Sequence, residues 1–195
     1  MKSISDIVLR AKNWQVFGVF VAAVAAEFLA PKLAGAEHSR ALDMLWNAID
    51  FLLMAGWLAI AARFLNSAVK PELRLKLSVF YAALVLSAAL AALNAGLPGN
   101  GNYLVEVFRF SAQLVAIACC IYSVAVVAEL FVRAETGERA SATDLVFHSL
   151  LIFPPFFLLA GVWYIQPALN RLYASRRSGR APGGGWQATP APSPR

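Results

Sequence analysis

The sequence predicts an all-α protein, a polytopic membrane helical bundle of four to five transmembrane segments with short surface helices at both ends. Long uninterrupted apolar runs predict it, as do the scarcity of charge and the gathering of basic residues between the runs. Hydrophobic residues make up 59% of the 195 residues and charged ones 14%, with a mean hydropathy of +0.62. Soluble domains are about half apolar and about a quarter charged, so the apolar excess has to face lipid. Membrane strands would alternate over about ten residues, whereas these runs are continuous.

Residues 1–13 read as an amphipathic helix on the membrane surface. Ser3 and Asp6 have the spacing of a capping pair, and Ile4, Ile7 and Val8 share a side that Arg10 and Lys12 avoid. The bundle proper, 14–173, holds apolar windows at 14–30, 44–62, 77–97, 110–128 and 145–165. Each is near the ~20 residues that cross a hydrocarbon core of about 30 Å. The first contains Glu27, the second Asp50 and the fifth His148, while the third and fourth carry no charge. A cleaved signal peptide competes for the first window, because Ala34, Gly35 and Ala36 form a cleavage-like site after Pro31 and Lys32. The length of the run and the Glu27 inside it favour a retained span. Pro167 suits the start of a second surface helix, with Leu169, Leu172 and Tyr173 apolar and Asn170, Arg171, Arg176 and Arg177 polar or basic. The segment 174–195 is expected to be a disordered basic Pro/Gly-rich tail, too poor in apolar surface to offset the entropy of ordering.

Topology carries a conflict. Five crossings would separate the ends of the chain, yet Lys2, Arg10 and Lys12 at one end and Arg171, Arg176, Arg177 and Arg180 at the other both favour the cytoplasmic side. Arg63, Lys70, Arg74, Lys76, Arg133 and Arg139 fall on that side too, against Lys32 and Arg40 opposite. Pro154 and Pro155 divide the fifth window into two apolar halves, each about 14 Å long as helix, or roughly half the core. Two arrangements fit: a kinked full span, or a re-entrant hairpin turning at the prolines, which returns every basic cluster to one side.

Two polar constellations stand out. Arg40, Asp43, Asn47 and Asp50 recur at intervals of three, four and three, and Glu106, Arg109 and Gln113 at three and four, so each set forms one stripe on a helix. With Glu27 and Asn94 near the same level they predict a polar layer in the outer leaflet, Arg109 facing Asp50 or Asp43 and Glu106 within reach of Arg40. A mid-membrane carboxylate costs about 2.5–3.5 kcal/mol, so such groups turn inward and find partners. The layer reads either as glue between helices or as a cation or proton path through Glu27 or Asp50. Arg63, Glu129 and His148 form a weaker group near the cytoplasmic ends, where a histidine is more often structural than a switch.

Gly18, Ala22, Ala26 and Ala30, and Ala83, Ser87, Ala91 and Ala95, repeat every four residues and predict close helix contacts. Trp14, Trp46, Trp163 and Tyr164 suit the interfaces, with Trp57 deeper. The adjacent Cys119 and Cys120 point to different sides of a helix and read as small core residues, neither a disulfide framework nor a metal site. His38 and His148 are the only histidines, which excludes a histidine-rich metal site, and Ser67 with Lys70 matches S-x-x-K only at a chance level. No cofactor is expected.

The net charge of +6 comes from short clusters beside apolar runs, which suits anionic lipid at the basic ends and disfavours nucleic acid. The function expected is that of a non-enzymatic accessory, assembly or oligomer-forming membrane component, partnered by a membrane protein or by copies of itself. The alternative is a small ion- or proton-coupled transporter or channel using the polar layer. The alanine-rich composition suggests a bacterial inner membrane.

Overall fold

The computed structural model describes residues 4–34, 40–96, 103–153 and 161–177, and every regular element among them is helical. A short helix, α1 (Ile4–Arg10), precedes four long ones: α2 (Asn13–Ala34), α3 (Arg40–Ala68), α4 (Ser78–Gly96) and α5 (Tyr103–Thr136). Among the described residues two further helices follow, α6 (Ala142–Ile152) and α7 (Val162–Arg177). Among the described residues, two stretches are long and apolar enough to cross a membrane, Phe51–Ala68 in α3 and Tyr103–Thr136, the whole of α5. The apolar stretches Trp14–Ala23, Ser78–Asn94 and Ala142–Ile152 are shorter.

Local chemistry sets the ends of several elements. In α1, Asp6 stands in the first turn and Arg10 in the last, which complements the helix dipole. Ser3 lies outside the described residues, and Asp6 instead accepts a hydrogen bond from the Tyr173 hydroxyl at 2.7 Å. Ser141 caps α6, its Oγ accepting from the Asp144 backbone N–H at 3.2 Å and donating to the Asp144 carboxylate at 2.6 Å. At the end of α5, Gly137 takes φ +75° and donates its N–H to the Arg133 carbonyl at 3.0 Å, a left-handed stop that glycine adopts without steric cost.

The long helices alternate in direction. Asn94 late in α4 meets Gln113 early in α5 at 2.9 Å, and the Ser87 hydroxyl donates to the Ala116 carbonyl at 3.3 Å. At 34 residues α5 is about 51 Å long, well beyond the window 110–128. Leu58, Leu65, Phe80, Leu130, Phe131, Ile152, Ile165 and Leu169 are fully buried in a core to which α3, α4, α5, α6 and α7 all contribute.

In the fifth window, 145–165, the described residues hold parts of two helices that lie side by side. His148 in α6 is 5.9 Å from Tyr164 in α7, and Phe147 is 6.1 Å from the same ring. A continuous helix would set those residues about 24 Å apart. The chain therefore enters on α6 beside α5 and returns on α7, whose far end reaches Ser67 and Phe64 at the close of α3. Pro154 and Pro155 lie outside the described residues, as does 178–195. The helix expected to begin at Pro167 begins instead at Val162 and runs through the proline, past the expected tail boundary at 174. Val162, Ile165, Gln166 and Leu169 share one buried face across it, so packing outweighs the single backbone hydrogen bond that proline removes.

Candidate functional site

Polar groups gather at three places, and the first is the far end of α4 and α5. There the Asn94 amide donates to Gln113 Oε1, while Arg109 Nε donates to Asn94 Oδ1 at 3.4 Å. Arg109 also pairs with Glu106 one turn earlier on its own helix, at 3.4 Å, with side chains 33% and 51% exposed. The structure thus brings together Asn94, Glu106, Arg109 and Gln113. The partners expected for Arg109 and Glu106 were Asp43, Asp50 and Arg40. Glu27 on α2 and Arg40, Asp43, Asn47 and Asp50 on α3 lie outside the residues whose side chains are described.

The second place is the opposite, basic end. Glu129 accepts from Arg133 Nε at 2.6 Å, one turn apart on α5, with side chains only 17% and 10% exposed. The same guanidinium donates from Nη1 to the Leu73 carbonyl at 2.5 Å, which fastens the α3–α4 loop to α5. Asn66 reinforces that loop, donating to the Leu75 carbonyl at 3.0 Å and accepting the Leu75 N–H at 2.8 Å. Arg63 is exposed, and among the described residues no hydrogen bond or ion pair joins it to Glu129 or His148. His148 Nδ1 lies 2.8 Å from the Asp144 carbonyl, which can only accept, so Nδ1 carries the proton. Its Nε2 is buried among the rings of Phe131, Phe147 and Tyr164, with no hydrogen-bond partner among the described residues.

The third place is a buried amide that the polar stripes do not reveal. Gln166 on α7 is fully buried. Its Oε1 accepts from the Trp57 indole N–H of α3 at 3.3 Å, and its Nε2 donates to the Val8 and Ala11 carbonyls at 3.0 and 3.3 Å. Asn170, one turn on, donates to the Ala11 carbonyl at 3.1 Å. Helix α1 ends in carbonyls that lack intrahelical donors, and α7 supplies them. The clue in the sequence is a pair of amides four residues apart, Gln166 and Asn170, which the reading of this stretch as a surface helix obscured.

Ser67 Oγ donates to the Phe64 carbonyl at 2.6 Å and accepts from Arg176, while Lys70 is exposed. Among the described residues no cluster of three His, Cys, Asp or Glu side chains has a metal-binding arrangement. The small-residue stripes behave differently from each other. Ser87 is buried against α5, whereas a Cβ built at Gly18 would meet nothing within 4 Å, since that face of α2 turns away from the bundle.

No family model, curated protein or solved structure matches this chain. Its class therefore rests on its own geometry: the described residues are all-helical in their regular structure, and two helices among them are long and apolar enough to cross a membrane.

Proposed function

We propose that the chain is a multi-pass membrane protein in which α2, α3, α4 and α5 cross and α6 and α7 form a re-entrant pair, with α1 and the end of α7 on the cytoplasmic face. It works as a non-enzymatic accessory, assembly or oligomer-forming component, and its composition suits a bacterial inner membrane. One observation carries the membrane reading. Phe110, Leu114, Ile117 and Ile121 form a stripe on α5 that points out of the bundle, Phe110 being 65% exposed. Leu104, Val79, Val85 and Leu86 extend this apolar surface over α5 and α4. Exposed apolar residues in that number suit acyl chains and not water. The side-by-side α6 and α7 support the topology, since a returning pair sets the basic clusters of both chain ends on one side, as the positive-inside bias favours. An accessory role is supported by polar groups that are spent on joining helices.

Alkaline carbonate extraction should leave the chain in the membrane pellet, and reporters fused before Met1 and after Arg180 should both give cytoplasmic signals. Release by carbonate ends the membrane reading, and a periplasmic signal after Arg180 ends the re-entrant pair. The second reading, an ion or proton path, is favoured by the half-exposed Glu106–Arg109 pair beside Asn94 and Gln113. On that reading Asp50→Asn and Glu27→Gln abolish flux in reconstituted vesicles, whereas joining groups would have no flux to lose.

A further inference from the structure

A groove of about 620 Å³ runs between α1, α2 and α3, within the range of about 300–1,000 Å³ typical of small-molecule sites. Val16, Val19 and Phe20 of α2 form one wall, and Leu52, Gly56 and Ile60 of α3 the other. A Cβ built at Gly56 meets nothing within 4 Å, so the groove floor is open space and not the seat of a neighbouring side chain. Polar groups stand at one end only, where Asp6, Arg10 and Gln15 reach the lining. Asp6 is occupied by the Tyr173 hydroxyl, and Gln15 Oε1 accepts the Lys12 backbone N–H at 2.8 Å. Arg10, which lines the groove and stands over the Tyr173 ring at 5.6 Å, is an exposed cation at this mouth, and the exposed Lys12 follows the lining residue Ala11 in the chain. No ion pair to either occurs among the described residues.

We propose that this groove holds one acyl chain of an anionic glycerophospholipid, with its phosphate at Arg10 and Lys12. The apolar walls accept the chain along its length, and the two cations at the mouth select the headgroup charge. The site rests on the membrane reading above, which sets α1 at headgroup level and opens the groove to the acyl layer.

The test uses the full chain in mild detergent, followed by native mass spectrometry with phosphatidylglycerol or phosphatidylcholine of matched acyl chains. One phosphatidylglycerol per chain should be retained, with a preference of about tenfold or more, since each surface cation adds about 1 kcal/mol toward anionic lipid. Gly56→Phe fills the open floor and should reduce retention of both lipids about tenfold, with helical circular dichroism unchanged. Arg10→Gln combined with Lys12→Gln should bring the two lipids to near parity. Equal retention of both lipids by the unaltered chain overturns the proposal, and so does a folded Gly56→Phe that keeps its lipid. Should Gly56→Phe fail to fold, a phosphatidylglycerol with a photoreactive acyl chain should label the α2 and α3 walls of the unaltered chain, and labelling confined to α4 and α5 overturns the site. Release of the chain by alkaline carbonate removes the membrane reading and the site together. A carbonate-resistant chain without a retained lipid removes the site alone.

Discussion

The two halves of α5 are built from much the same apolar residues and sit in different surroundings. Before Ser123, only Ala112 and Ala116 are buried, and both lie on the side that carries the contacts with α4. From Ser123 onward, Val124, Val127, Ala128, Leu130, Phe131, Val132 and Ala134 are buried as well, because α3 and α6 close around the helix. Water would drive both halves inside. On the membrane reading proposed above, lipid tails are as apolar as leucine, so an outward-facing phenylalanine costs little there and packing is free to be uneven. The firm half is the one where side chains also close polar gaps between elements: Arg133 to Leu73, Asn66 to Leu75, and Gln166 to Val8 and Ala11.

The largest expected effect tests that contrast within a single helix. Phe131→Ala, at a fully buried site, should lower unfolding stability in detergent by about 3–5 kcal/mol, whereas Phe110→Ala should change it by only about 0.5 kcal/mol. Equal losses would mean that the outer face of α5 has a protein partner in place of lipid. Arg133→Met comes next. It leaves the Glu129 carboxylate and the Leu73 carbonyl without their donor in a largely buried setting, and about 3 kcal/mol should be lost. Protease sensitivity of the 69–77 loop should rise in parallel. An unchanged loop would assign the pair to α5 alone.

The contrast also explains what could be read in advance. Helix type, the four long helices and the presence of a short helix α1 follow from apolar run length and charge placement. Which apolar residues are buried and which are exposed does not follow, since the same side chains occupy both positions; Phe110 and Phe131 are indistinguishable by composition. The course of 145–165 was open for a related reason. Proline removes a donor at one position but does not dictate whether the chain bends or reverses, and the answer came from His148 and Tyr164 meeting across the pair. Pro167 misled because a proline near a helix start resembles one inside it, while the buried face shared by Val162, Ile165 and Leu169 is visible only once α7 is packed. At the far end, helical spacing groups Glu106, Arg109 and Gln113 and level adds Asn94, yet neither says that Arg109 turns to Asn94 and Glu106.

Gln166→Leu should cost about 2 kcal/mol, less than Arg133→Met because the groups left behind are neutral. The Trp57 indole and the Val8 and Ala11 carbonyls lose the amide together, although the Ala11 N–H still reaches the Val8 carbonyl and Asn170 still reaches the Ala11 carbonyl. Loosening should be local, with hydrogen exchange rising in α1 and the start of α2 while α4 and the outer half of α5 stay unchanged. Exchange rising uniformly would show that the amide supports the whole bundle and not one end of it.

The smallest effect belongs to the far end. Asn94 joins α4 to Gln113 at 2.9 Å and takes a longer bond from Arg109 at 3.4 Å, and the Arg109 and Glu106 side chains remain partly exposed. Hydrogen bonds between membrane helices average about 0.6 kcal/mol, because the separated helices find other partners. Asn94→Leu should therefore lower stability by about 0.5–1 kcal/mol, and a double-mutant cycle with Gln113→Leu should give a coupling of about 0.6 kcal/mol. A coupling above about 2 kcal/mol would mean that this layer binds α4 to α5 as firmly as Arg133 binds the loop, and the division into a firm end and a loose one would fail. A small coupling accompanied by loss of vesicle ion flux would instead give the layer a role that its contribution to stability does not explain.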